Sequence, residues 1–144
     1  MEPQNYSNHR KYVPLFHMIL FPALVLTLGG ASVNLYQSIG DHQRLYGASL
    51  ILVLVLCTIG VFFLCRIFAL KAQDRAIKAE ENLRHYLLAG KLLDGRLTVR
   101  QIVGLRFASD DEFVELARKA AEQNISEDDI KKSIRNWRAD HYRV

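Results

Sequence analysis

Asp, Glu, Lys and Arg are absent from two long stretches of this 144-residue chain, Pro14–Gln37 and Leu45–Cys65. Proton and ion pathways through a bilayer are built on intramembrane charge, so the absence argues against a pump or an ion-coupled transporter. Cysteine is equally scarce. Cys57 and Cys65 are the only two, eight residues apart in one apolar run, and one helix cannot bridge that separation. A disulfide framework is excluded, and both read as small lipid-facing or packing residues. The five histidines, His9, His17, His42, His85 and His141, share no i, i+3 or i+4 spacing that would gather them on a helix. No metal site is expected. No glycine-rich phosphate loop, nucleophile elbow or metalloprotease helix occurs, so neither a catalytic residue nor a cofactor is expected. No strand pattern and no low-complexity segment is present.

What the chain does have is apolar length. About 20 residues at a rise of ~1.5 Å cover the hydrocarbon core of a bilayer, and each uncharged run reaches that length. Backbone amides in lipid must be satisfied within the segment, which leaves the helix as the conformation. The rival for the first run is a secretory signal peptide, with Arg10 and Lys11 as its charged region and Gly29-Gly30-Ala31 as a cleavage-like site. Against it, apolar character continues through Val33, Leu35 and Tyr36, and Pro22 sits mid-run. The connection Ser38–Arg44 is short and forces an antiparallel hairpin. Lys and Arg near the runs number two before the first (Arg10, Lys11), one between (Arg44) and four after the second (Arg66, Lys71, Arg75, Lys78). The positive-inside rule then places both termini in the cytoplasm and the turn outside.

Small and weakly polar residues recur at helical spacing within the runs. Ala23, Thr27, Gly30 and Asn34 share one face of the first; Ser49, Val53, Cys57 and Gly60 share one of the second. Lipid gives apolar bulk no preference for helix contact, so small-residue stripes are the expected seam, facing each other or a second copy.

The second half is different in kind. From Lys71 onward fifteen Lys/Arg stand against thirteen Asp/Glu, the composition of a solvated helical domain. The mean hydropathy of +0.02 averages two unlike halves. A net charge of +4 is too small and too dispersed to point to nucleic acid. Ala69, Ala72, Ala76, Ala79, Leu83 and Tyr86/Leu87 repeat every three or four residues, an amphipathic stripe, and nothing breaks a helix before Gly90. The second run either continues into this stripe as one helix or bends near Arg66–Lys71. Three capping boxes follow: Thr98 with Gln101, Ser109 with Glu112, and Ser126 with Asp129. They predict helices over about 99–107, 110–123 and 127–138, whose narrow apolar faces must pack together or on the preceding helix.

The C-terminal stretch from Lys131 interleaves basic residues with Trp137 and Tyr142. Trp137 follows Ile130 and Ile134 at helical spacing and is expected to complete a buried face. Arg135, Arg138 and Arg143 are candidates for a surface that meets lipid headgroups or a partner; stacking on single-stranded nucleic acid is the weaker reading.

Asn8-His-Arg-Lys-Tyr12, Gln73-Asp-Arg75, Leu105-Arg-Phe-Ala-Ser-Asp110 with Glu112, and Ile130-Lys-Lys with Trp137, Asp140 and Arg143-Val144 resemble a family of small, uncharacterised bacterial membrane proteins, a domain of unknown function. The resemblance spans nearly the whole chain. It implies a two-span inner-membrane protein with a helical cytoplasmic tail, and carries over no catalytic residue, cofactor or substrate. The sequence therefore predicts an all-α fold: a juxtamembrane segment 1–13, a transmembrane hairpin 14–70 with spans about 14–37 and 45–66, and a cytoplasmic helical domain 71–144. The expected role is a non-enzymatic, membrane-anchored interaction or scaffold protein whose partners are membrane lipid and a protein, itself included. An accessory subunit of a membrane enzyme or a small oligomeric channel is the alternative.

Overall fold

A computed structural model describes residues 4–9 and 12–140. It is all-helical: among the described residues no strand forms, and the extended chain contributes a single bridge between Ala108 and Trp137. A π-helical turn, Leu15–Leu20, runs into α1 (Phe21–Gln37); α2 spans His42–Ala89, α3 Val99–Leu105, α4 Asp110–Gln123 and α5 Glu127–Ser133. The chain divides into two compact units, one of residues 12–69 and one of residues 1–11 with 70–144.

In the first unit the wide turn has a local cause. Pro22 lacks an N–H and its ring crowds the carbonyl four residues earlier. The backbone widens ahead of it, and the N–H of Phe21 bonds to Phe16 O, five residues back. Asp41 Oδ1 accepts from the N–H groups of Gln43 (3.1 Å) and Arg44 (3.2 Å) and caps α2, while Gly40 turns the chain at φ +101°. Phe16 stacks on Phe62 with centroids 4.1 Å apart, and Phe21 meets Phe63 edge-on at 6.4 Å. Hydroxyls in these helices bond back along their own backbone: Thr27 to Ala23 O, Ser32 to Leu28 O, Thr58 to Leu54 O. Each of these hydroxyls thus has its partner within its own helix. The expected hairpin, with its second span over about 45–66, gives way to a single long helix, the continuous one of the two alternatives for the second run. The second arm does not stop, because nothing between Arg66 and Ala89 can break a helix, and α2 is one element of 48 residues.

The second unit is a three-helix cluster around Ile102, Leu105, Phe107, Phe113 and Ile130, all at most 2 % exposed. Thr98 and Gln101 form the expected reciprocal box. Gln101 also donates from Nε2 to Ile125 O at 2.8 Å, so the same side chain starts α3 and holds the turn after α4. Asn124 ends α4 in the left-handed conformation at φ 48°, a role open to Asn and Gly. Gly104 sets the approach of α3 to α5: a Cβ there would lie 3.1 Å from the backbone oxygen of Glu127.

Two expectations change. Ser109 precedes α4 with its hydroxyl buried and without a hydrogen bond. Glu112, which should have closed that box, accepts instead from the N–H groups of Arg135 (3.2 Å) and Asn136 (3.0 Å). The N–H of Ser109 donates to Asn136 O at 3.0 Å, and Arg138 N–H to Phe107 O at 2.7 Å. The returning tail has taken the N–H and the carboxylate of one half of the box, and the N–H of Glu112 bonds to Ser109 O in place of the hydroxyl. For the same reason α5 ends at Ser133 rather than near residue 138. Ile134 is extended, and Trp137 reaches Phe107 (5.0 Å) through the bridge rather than along a helix face.

Removing a cap hydroxyl therefore has site-dependent effects. Thr98→Ala and Ser126→Ala should each cost ~1 kcal/mol, whereas Ser109→Ala should lie within about 0.5 kcal/mol of the parent. Gly104→Leu should cost ~1–3 kcal/mol through overpacking against α5. Denaturant unfolding of the full chain in detergent, followed by helical circular dichroism, measures all four. A loss at Ser109 equal to that at Ser126 would contradict the tail-for-cap exchange.

Candidate functional site

Within the second unit, the face of α2 turned toward the helical cluster is polar. Gln73, Ile77, Glu81 and His85 follow at i+4 steps, and Ile77, Glu81 and His85 are buried. Arg84 is the centre of the contact. Its Nε donates to Asp110 Oδ1 (2.7 Å), its Nη1 to Glu81 Oε2 (3.0 Å) and its Nη2 to Ala108 O (2.7 Å). The guanidinium lies 4.2 Å from the centroid of Phe113. Carboxylates on two sides, a carbonyl and an aromatic face together offset the cost of burying the charge. His85 stacks edge-on to Phe113 and places Nδ1 2.6 Å from Lys91 O; a carbonyl only accepts, so the ring donates there.

A second layer ties down the tail. Arg106 Nη1 lies 3.1 Å from Asp140 Oδ2, with the guanidinium 4.6 Å from the Phe107 ring. Arg138 Nη1 approaches Glu81 Oε1 at 3.8 Å. Two open clefts flank that pair. One of about 310 Å3 is bounded by Gln73, Ile77, Arg106 and Asp140; the other, about 440 Å3, by Leu83, Leu87 and Asp110.

The N-terminal segment joins the same unit. Tyr6 Oη donates to Asp128 Oδ1 at 2.6 Å, and His9 lies 5.9 Å from both the Phe107 and Trp137 rings. Gln4 Oε1 accepts from the N–H of Asp140 at 2.8 Å. The Lys132 ammonium, first, and the Tyr6 hydroxyl, second, hold the Asp128 carboxyl below its ordinary value. The hydrogen bond to Asp128 in turn raises Tyr6.

These groups are all engaged with one another, so the arrangement acts as a clamp. Among the described residues no three His, Cys, Asp or Glu groups come together to hold a metal ion. Of the residues singled out in the sequence, Arg135 is exposed with its N–H on Glu112, Arg138 is exposed but faces Glu81, and Arg143 lies outside the described residues. Ala23, Thr27, Gly30, Asn34, Cys57 and Gly60 are exposed and Ser49 is half-buried; a Cβ at Gly30 or Gly60 would meet no atom within 4 Å. The buried line runs beside them, through Ala31, Ala48 and Val55. The two small-residue stripes are thus not brought face to face within the chain. Sequence reasoning missed Glu81, Arg84, Arg106 and the docking of Tyr6 and His9. The i+3 pair Glu81–Arg84 opposite the alanine stripe was the available signal.

The stabilising effect of Tyr6 should depend on pH in a defined way. Asp128 is depressed in the folded chain, so its contribution is full above 3.8 and is lost as pH falls through the lower folded value. Tyr6 is raised, so its contribution holds below 10.0 and is lost as pH rises through the folded value. The difference in melting midpoint between the parent and Tyr6→Phe should be constant between these limits and vanish outside them. A difference that does not change with pH would place the stabilisation in the ring and not in the hydrogen bond.

No curated protein and no solved structure matches the chain. The model of one family matches from the first residue to the last, across the apolar helices and the clamped helical cluster alike. The chain belongs to the family of unknown function DUF6526, matched over residues 1–144.

Proposed function

We propose that the chain is a membrane-anchored, non-enzymatic interaction module of the bacterial inner membrane. Two helices cross the bilayer, both termini are cytoplasmic, and the helical unit is offered to a protein partner. The observation that carries this reading is what the two apolar helices leave uncovered. Their most apolar 18-residue windows have hydropathies of 1.8 and 2.8, yet only 6 % and 11 % of the residues in them are buried. A core helix of a water-soluble protein would be mostly covered. More than a dozen large apolar side chains between Leu15 and Phe68 are exposed. At ~1.5–3 kcal/mol for burying each, leaving them in water would forfeit more than the ~5–15 kcal/mol net stability of a typical domain. Lipid resolves the conflict.

The backbone supports the same environment. Hydroxyls within the helices are bonded internally, and charges lie only at the flanks, Arg44 at the turn and Arg66 with Lys71 beyond the second run. The two, one, four distribution of basic residues favours the turn outside. The interaction role rests on the clamp, whose acids and bases serve to fix a surface.

The test uses a full chain with Cys57 and Cys65 replaced by Ala. The protein should stay in the pellet after alkaline carbonate extraction. A membrane-impermeant thiol reagent added to intact cells should label Gln43→Cys and not Gln123→Cys. The reverse labelling would sink the orientation. A mature chain beginning near Ser32 would replace the first span with a cleaved signal.

A further inference from the structure

The apolar stripe of α2 lies on the side away from Glu81 and His85, with Ala76 and Leu83 at the edge of the clefts that Arg138 also lines. Ala72, Ala76, Ala79, Leu83 and Tyr86 are exposed, Leu83 to 59 % and Tyr86 to 54 %. Glu81 and His85 on the other side are 5 % exposed. Amphipathic helices ordinarily turn their apolar side to the core, so this helix has its own domain on the polar face and an uncovered face opposite. The spacing is 4, 3, 4, 3, an a/d seam with Ala76 and Leu83 at a and Ala72, Ala79 and Tyr86 at d. In that register Arg75 is a g position and Glu80 the e position five residues later, both exposed.

We infer that this face is covered by a second copy of the chain, in a parallel coiled coil through residues 72–86. Residues at g and at the following e′ meet across a parallel dimer. Arg75 of each copy therefore meets Glu80 of the other, twice by symmetry. An antiparallel pairing sets g against g′ and e against e′ and loses that match. The three alanines let the backbones come close at the start of the seam, and Leu83 and Tyr86 supply its apolar area. Glu81 and His85, clamped to the unit's own helices, lie on the far side and do not obstruct the approach. A seam of two heptads is short for association in solution. The parallel sense and the sufficient local concentration rest on the membrane-anchored reading above, since copies held in one bilayer point the same way and the second contact becomes effectively intramolecular.

The experiment is disulfide crosslinking in native membranes, with the full chain lacking Cys57 and Cys65. Ala76→Cys and Ala79→Cys should give crosslinked dimer, and Lys78→Cys, exposed on the same helix but off the seam, should give roughly tenfold less, since its Cβ atoms lie beyond disulfide reach. Arg75→Glu and Glu80→Arg should each weaken self-association about tenfold, equivalent to about 1.4 kcal/mol, and the double exchange should restore it. Chains that resist carbonate extraction but do not crosslink at 76 and 79 would overturn the second copy while leaving the membrane reading intact. So would crosslinking of Ala79→Cys to a different protein, or failure of the double exchange. Release by carbonate would instead overturn the membrane reading, and the parallel seam with it.

Discussion

The Arg84 guanidinium is the point on which the helical unit closes. It is a single positive charge with an almost buried side chain, and it joins Glu81, one turn back on its own helix, to a segment more than twenty residues later: the carbonyl of Ala108 in the bridge that receives the tail, and Asp110 at the start of α4. A buried ion pair adds little over a well-packed apolar contact, but removing one member leaves an uncompensated charge and costs ~3–5 kcal/mol. The arrangement is therefore specific more than it is strong. It marks the face of α2 that meets the cluster, because Arg84 finds its partners there in Asp110 and the carbonyl of Ala108. Everything else in the unit follows from that choice, including the exposure of the apolar stripe on the opposite side.

What could be read from the sequence was what is decided locally. Thr98 and Ser126 cap as expected because each side chain accepts from the N–H three positions on, with no competitor; the box is reciprocal at Thr98, whereas the Asp129 carboxylate accepts from the Ser126 hydroxyl. Ser109 has the same local pattern and does not cap. Its N–H is claimed by Asn136 O, and the carboxylate of its Glu112 by the N–H groups of residues 135 and 136, more than twenty positions later. A capping box is a local preference of about 1 kcal/mol. Two carboxylate-to-backbone bonds and an antiparallel bridge outweigh it. The end of α5 was hidden by the same competition, since Ile130, Ile134 and Trp137 fit helical spacing whether or not the chain stays helical. Ile134 is extended and Trp137 reaches Phe107 by the bridge, where it is partly buried against the core.

The stripe on α2 shows the limit of periodicity from the other side. A 3.6-residue pattern reveals that two faces differ, and it does not reveal which one a domain covers. Ala76, Ala79 and Leu83 form an amphipathic stripe of the kind that usually faces a core. The opposite face carries Glu81, Arg84 and His85, whose partners at Asp110, Ala108 and Lys91 come from elsewhere in the unit and are not implied by the spacing. Tyr6 and His9 belong to the same class of non-local contact. A basic, aromatic N-terminal segment suits a lipid headgroup layer, and its pairing with Asp128, Phe107 and Trp137 depends on the far end of the chain.

Taken with the membrane reading, the inverted face of α2 has a consequence for how association would be regulated. An alanine-rich seam buries little apolar area, so its intrinsic affinity is low. It becomes effective only where copies are confined, as they are in a bilayer. The Arg75–Glu80 match is exposed and screened over ~8 Å at physiological ionic strength, so it selects register and direction without adding much strength. The clamp on the far face makes the opposite contribution: it holds the helical unit fixed on α2, away from the seam, so that a second copy can approach without first displacing it. Weak association on a rigid, preoriented face is the combination expected of a module whose assembly responds to its density in the membrane.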